Sequence, residues 1–182
     1  MRVQVPATTS FVLAAALDDD HGSGLYTTIE CTRPDDRWWI FHQIAEARLD
    51  LDVLDAAADT LVAKLVGWKR WEAAYVWRHT IGAWATIDGD FAASGVDLMA
   101  LPVERATNAA YAWWRRQIGQ DADAWRRFTR EMEREPVRVI AAEAEQPMDP
   151  GVFGQLDQLG KANRRAAPAV VESVITMPEQ IP

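Results

Sequence analysis

Cysteine is almost missing from this chain. Its 182 residues hold one, Cys31, so no internal disulfide can form. Long apolar runs are missing too, since the longest, Phe11 to Leu17, falls far short of the roughly 20 residues a spanning helix needs. Positive charge is in deficit. With 27 acidic against 19 basic residues the formal charge is -8, which repels phosphate backbones and anionic lipid surfaces, so neither nucleic acid nor membrane is an expected partner. The opening MRVQVPATTS has no charged-then-apolar export pattern, which predicts a cytoplasmic protein.

Chemistry-bearing motifs are equally scarce. The three histidines, His21, His42 and His79, are far apart in sequence and none forms a metal-spaced pair such as HExxH. Cys31 has no histidine near it in sequence and reads as a small buried side chain rather than a nucleophile. Asp88-Gly89-Asp90 lacks the alternating acids and closing glutamate of a calcium loop, and Asp18-Asp19-Asp20 reads as a solvated acid run. Gly22 and Gly24 stand outside any GxxxxGK[ST] or GxGxxG context, and GxSxG is absent. No catalytic residue, metal ligand or cofactor is expected. Arg115-Arg116 and Arg126-Arg127, set among Trp113, Trp114, Trp125 and Phe128, have the ring-and-guanidinium texture of single-strand binders. The acidic balance favours inward rings and snorkelling arginines instead.

What the chain does have is tryptophan, nine of them between Trp38 and Trp125, against three tyrosines and five phenylalanines. Such density means a core filled with rings or an adhesive surface, and core filling is the commoner fate of large apolar side chains.

The pattern predicts a mainly α protein, a helical bundle with a small N-terminal β-hairpin and an extended C-terminal tail, divided as 1–33, 34–136 and 137–182. In the first segment the apolar run Phe11–Leu17, the turn His21-Gly22-Ser23-Gly24 and the β-branched Leu25–Cys31 suggest a hairpin, although Ala14-Ala15-Ala16 suits a short helix equally well. Helices are expected over Pro34–Ala47, Asp50–Val66, Trp68–Ala93, Pro102–Gln117 and from Asp121 or Asp123 to Pro136, with a break or bend at Gly67. The long third helix carries Trp77, Ile81 and Trp84 on one face and Trp68, Trp71 and Tyr75 on another, so it needs more than one neighbour. Beyond Pro136 the prolines at 147, 150, 168, 178 and 182 leave two apolar clusters, Val152-Phe153 with Leu156 and Leu159, and Val170-Val171 with Val174 and Ile175. Trp68, Trp71, Tyr75, Val152, Phe153, Leu156, Val171 and Ile175 are therefore the candidate partner-binding residues.

Gly67-Trp68-Lys69-Arg70-Trp71-Glu72-Ala73-Ala74, Trp77-Arg78, Trp84, Ile87-Asp88-Gly89, Gly95-Val96-Asp97, Ala100-Leu101-Pro102, Arg105-Ala106-Thr107-Asn108 and Tyr111-Ala112-Trp113-Trp114 follow in order. This stretch, which runs to Phe128 and covers about a third of the chain, resembles a group of tail assembly chaperones encoded by long-tailed actinobacterial phages. The resemblance implies a non-catalytic protein that coats the tape-measure protein until tube subunits replace it, in a family where a longer product often arises by ribosomal frameshifting. Protein partners, the tape-measure protein first, and a homo-oligomer are the expected associations. A virion component such as a connector or tail-associated subunit is the alternative, followed by an enzyme without a recognisable motif or an inhibitor of a host enzyme.

Overall fold

The computed structural model describes residues 2–17 and 20–145, apart from the side chains at 20–21 and 142–145, within one compact unit. Its elements are α1 (Thr8–Ala16), α2 (Asp20–Glu30), α3 (Pro34–Ala45), α4 (Leu51–Leu65), α5 (Arg70–Gly82), α6 (Trp84–Ala93), a 3-10 turn (Leu98–Ala100), α7 (Val103–Ile118), α8 (Ala122–Glu133) and α9 (Val137–Glu145). The protein is mainly helical. Among the described residues no helix is long and apolar enough to cross a membrane.

The expected hairpin is not formed. Both of its arms are helical, and the only extended pairing among the described residues is an antiparallel bridge between Val3 and Thr32. Gly22 and Gly24 lie inside α2, where each costs about 1 kcal/mol of helix propensity relative to alanine. Tertiary packing overrides that cost. Ser23, Gly24, Thr27, Thr28 and Cys31, spaced at three and four, form a buried stripe of small side chains against α4. A methyl group at Gly24 would come within 1.9 Å of Asp55 Oδ1, so glycine is what permits the helices to approach this closely. Thr28 Oγ1 donates to the Leu54 carbonyl at 3.1 Å across the same seam.

α3 begins as read, with Pro34 in its first turn and Asp35 and Asp36 against the free amides. It ends two residues earlier than expected because Ala47 turns to φ 51 and the Arg48 amide closes on the Gln43 carbonyl. Asp50 caps α4 and Asp121 caps α8, each through its carboxylate. Gly67, at φ 77, separates α4 from α5. The single helix expected over 68–93 is instead two, divided at Gly82 and Ala83, and Ile81 is left exposed while Ile87 on α6 is buried. Gly95, at φ 70, completes the turn after α6 with the Val96 amide bonded to the Phe91 carbonyl. The segment expected as a tail from 137 opens with a helix, α9. Residues 146–182 lie outside the described part.

α1 packs on α2 and α5, and α5 packs on α4, α7 and α8, so α5 is the central helix. Trp77 on α5 is 0% exposed, among Phe11, Val12, Val62, Ile87, Val103, Ala106 and Trp113 from the surrounding helices. Its indole N–H donates to Thr107 Oγ1 on α7 at 3.0 Å, and Trp114 on α7 returns the bond to Thr80 Oγ1 on α5 at 3.1 Å. Each threonine hydroxyl in turn donates to a carbonyl one turn back, so the four side chains are satisfied without water.

Changing Trp77 to alanine is expected to cost about 3 to 5 kcal/mol in urea unfolding, as for other fully buried rings. Gly24→Ala should also destabilise the chain, although alanine is the better helix former. A stabilised Gly24→Ala protein would show that α2 does not press on α4 at this point.

Candidate partner-binding surfaces

Two of the aromatic residues singled out, Trp68 and Tyr75, lie along a wall of rings shared with α7 and α8. Trp68, just ahead of α5, meets the Tyr111 ring edge-on at 5.2 Å and donates its indole N–H to Asn108 Oδ1 at 2.9 Å. Tyr75 meets Phe128 at 5.1 Å and His79 at 4.1 Å. Phe128 stacks on Trp114 at 5.9 Å and on Trp125 at 5.6 Å, which continues the wall onto α8. Trp68, Trp71 and Tyr75 are each partly buried. The Lys69 ammonium stands 5.1 Å from the Trp71 ring and reaches Glu135 at 3.2 Å. Trp71 and Tyr75 border a cleft of about 320 Å³ whose other walls include Ser23, Arg78, Met132 and Arg138. The remaining candidates, Val152, Phe153, Leu156, Val171 and Ile175, lie outside the described residues.

Arg70, which lines that cleft, is one half of the most buried ion pair among the described residues. Arg70 at the start of α5 reaches Asp55 at 2.9 Å and Asp59 at 2.7 Å, one helical turn apart on α4. Arg138 on α9 closes on Asp59 from the other side. Sequence reading did not single out this group. Its signal was present in Asp55 and Asp59, which sit at a four-residue interval along the α4 stripe of Leu54, Ala58 and Leu61. Two acids on a core-facing stripe require a buried cation, and Arg70 is the nearest arginine downstream.

Other ionisable groups are placed for packing. His42 pairs with Glu46 at 3.2 Å along α3, and His79 Nδ1 lies 2.9 Å from the Tyr75 carbonyl. Burial pushes the Cys31 thiol up to about 12, with the Glu30 carboxylate adding to the effect. Burial also raises Glu72 above its usual range, reinforced by Glu133 and Glu135 and opposed by Lys69. Among the described residues no group of three or more histidine, cysteine, aspartate or glutamate side chains is gathered to hold a metal ion.

Among the described helices that expose large apolar side chains, α3 and α9 each carry two, which sequence reading did not select. On α3, Trp38 is 75% and Phe41 45% exposed. On α9, Val137 is 83% and Ile140 54% exposed. In the run Trp38-Trp39-Ile40-Phe41 a helix covered on one side can hide only part of its circumference, and Ile40 takes the covered position. No family model, curated protein or solved structure matches this chain.

Replacing Arg70 by methionine should cost about 3 to 5 kcal/mol, because Asp55 is left charged and buried. Adding Asp55→Leu should recover a large part of the loss. A single-variant cost below about 1 kcal/mol in urea titration would show that the pair is not held out of water. For Cys31 the sign follows from its raised pKa, since the folded chain keeps a proton that the unfolded chain releases. The Cys31 contribution to stability is therefore flat below pH 9.0 and falls as pH climbs from there toward about 12. At pH 8 a thiol reagent should modify the native protein far more slowly than the urea-unfolded chain.

Proposed function

We propose that this chain is a non-catalytic, protein-binding morphogenesis factor of the tail assembly chaperone kind, with a tape-measure protein as its partner. The observation that carries the binding part of the reading is α9. Val137 and Ile140 stand three residues apart, largely in water, on the helix that leads into a sequence holding the apolar clusters 152–159 and 170–175. Exposed aliphatic side chains at helical spacing fit an apolar groove or an amphipathic partner helix. Moderate affinity suits an escort that must later be displaced. The assignment to tail assembly rests on the resemblance over Gly67–Phe128. The same reading makes the partner a protein and assigns the chain no cofactor.

Coexpression with a long coiled-coil tape-measure protein, followed by affinity capture of this chain, is the test. The partner should co-purify, and Val137→Asp with Ile140→Asp, or deletion of residues 147–182, should reduce capture while the helical unit keeps its melting temperature. Recovery of the chain in purified virions would favour a structural component instead. A truncated chain that melts many degrees lower would place the tail in the core and sink the escort reading.

A further inference from the structure

We propose that the outward face of α3 is a self-association surface, on which a second copy of this chain docks antiparallel about a two-fold axis. The inference is independent of the partner reading, which uses α9 and the sequence after it. Asp35, Trp38, the adjacent Phe41 and His42, and Ala45 recur about once per helical turn, and all are exposed. They form a single stripe along a helix of 12 residues, about 18 Å long at the standard rise. Among the described residues no other helix packs extensively on α3, and its inward anchors are Ile40 and Gln43.

The order of chemistry along the stripe selects the occupant. An acid stands at one end, the rings in the middle, a small residue beyond them, and Arg48, largely exposed, just past the other end. Such a sequence complements its own reverse. Antiparallel pairing centred between Phe41 and His42 brings Asp35 to the second copy's Arg48, Trp38 over the second copy's Ala45, and Phe41 against the second copy's Phe41 and His42. Large rings seated over alanine give close packing, and the two-fold makes every such pair occur twice. Within one copy, Asp35 meets Arg2 at 3.4 Å, Arg48 meets Glu46 at 3.0 Å and His42 meets the same Glu46 at 3.2 Å. All of these pairs are solvent-exposed, so exchange of Arg2 or Glu46 for an intermolecular partner costs little. Stable dimers bury about 800 Å² on each side, more than one stripe of α3 supplies, so the association is weak, on the order of micromolar or above.

Sedimentation equilibrium of the full chain, from about 1 to several hundred micromolar, reads this directly. A monomer–dimer equilibrium is expected. Trp38→Ala and Phe41→Ala should each weaken it by roughly tenfold or more, as central rings do in interfaces. Their thermal midpoints should stay near that of the parent, because both rings are exposed in the monomer. Asp35→Arg and Arg48→Glu should each weaken the dimer, and the double variant should restore it, as should an equimolar mixture of the two single variants. That reciprocal rescue belongs only to an antiparallel pairing of 35 with 48. A monomer throughout the range, a dimer indifferent to Trp38 and Phe41, or charge swaps that fail to rescue each other would overturn the proposal. So would a monomer that binds an unrelated apolar peptide through Trp38 without forming a dimer.

Discussion

The buried guanidinium of Arg70 is the constraint around which the helices are arranged. Removing a charge from water costs several kcal/mol, and only close, well-directed partners offset that. Asp55 and Asp59 provide such partners one turn apart on α4, which fixes both the rotation of α4 and its offset along α5. Displacing α4 by one residue would turn both carboxylates away from the cation. Gly24 belongs to the same arrangement, since the α2 backbone presses on the Asp55 carboxylate itself. α9 belongs to it as well through Arg138. An apolar replacement of matched volume could stabilise the fold as much, so the network contributes register more than gross stability.

A second constraint of a different kind holds the other side of α5. Trp77 and Trp114 donate in opposite directions between α5 and α7, each to a threonine whose own hydroxyl is committed to its helix. Rings supply area and their N–H groups supply direction, so the tryptophan content acts as both filling and alignment. Trp113 does the same toward Asp90 on α6, at 2.9 Å. Asp90, itself exposed, thereby anchors a buried ring of α7. Trp68, Tyr75, Tyr111, Trp125 and Phe128 then join Trp114 in the wall between α5, α7 and α8.

Where a helix announces itself by caps and apolar period, the sequence was enough. α4 shows its aspartate cap and leucine stripe, α8 its cap and its one-sided Trp125, Phe128 and Met132, and α3 its proline start. α2 was not legible, because glycine and threonine carry turn and strand signals locally, while their helical use depends on how closely α4 approaches. The division at Gly82 was hidden by a periodicity that continues through Trp84. α9 was hidden for a similar reason. Its tether, Arg138, is explained only by Asp59, which lies 79 residues earlier. The candidate surfaces follow the same logic. Trp68, Trp71 and Tyr75 were visible as a stripe, but the rings of α7 and α8 that flank Trp68 and Tyr75 come from distant sequence. Trp38 and Phe41 were visible as aromatic residues, while their exposure depends on which side of α3 the fold covers.

The two uncovered faces differ in how they are held, and that bears on what each can do. α3 is anchored at its start by Arg2 bridging to Asp36 and by Arg37 reaching Glu30, and by the buried Ile40 within its span. A face on such a helix is already shaped before anything meets it, which suits a repeated, symmetric contact. α9 is joined through Pro136 and the partly buried pair of Arg138 with Asp59, so it has fewer attachments to lose on opening. Covering Val137 and Ile140 would add apolar burial worth roughly 25 cal/mol per Å² to a helix with little of its own. Binding at α9 would therefore stabilise the helix that binds, and through Asp59 would tighten the seat of Arg70 between α4 and α5.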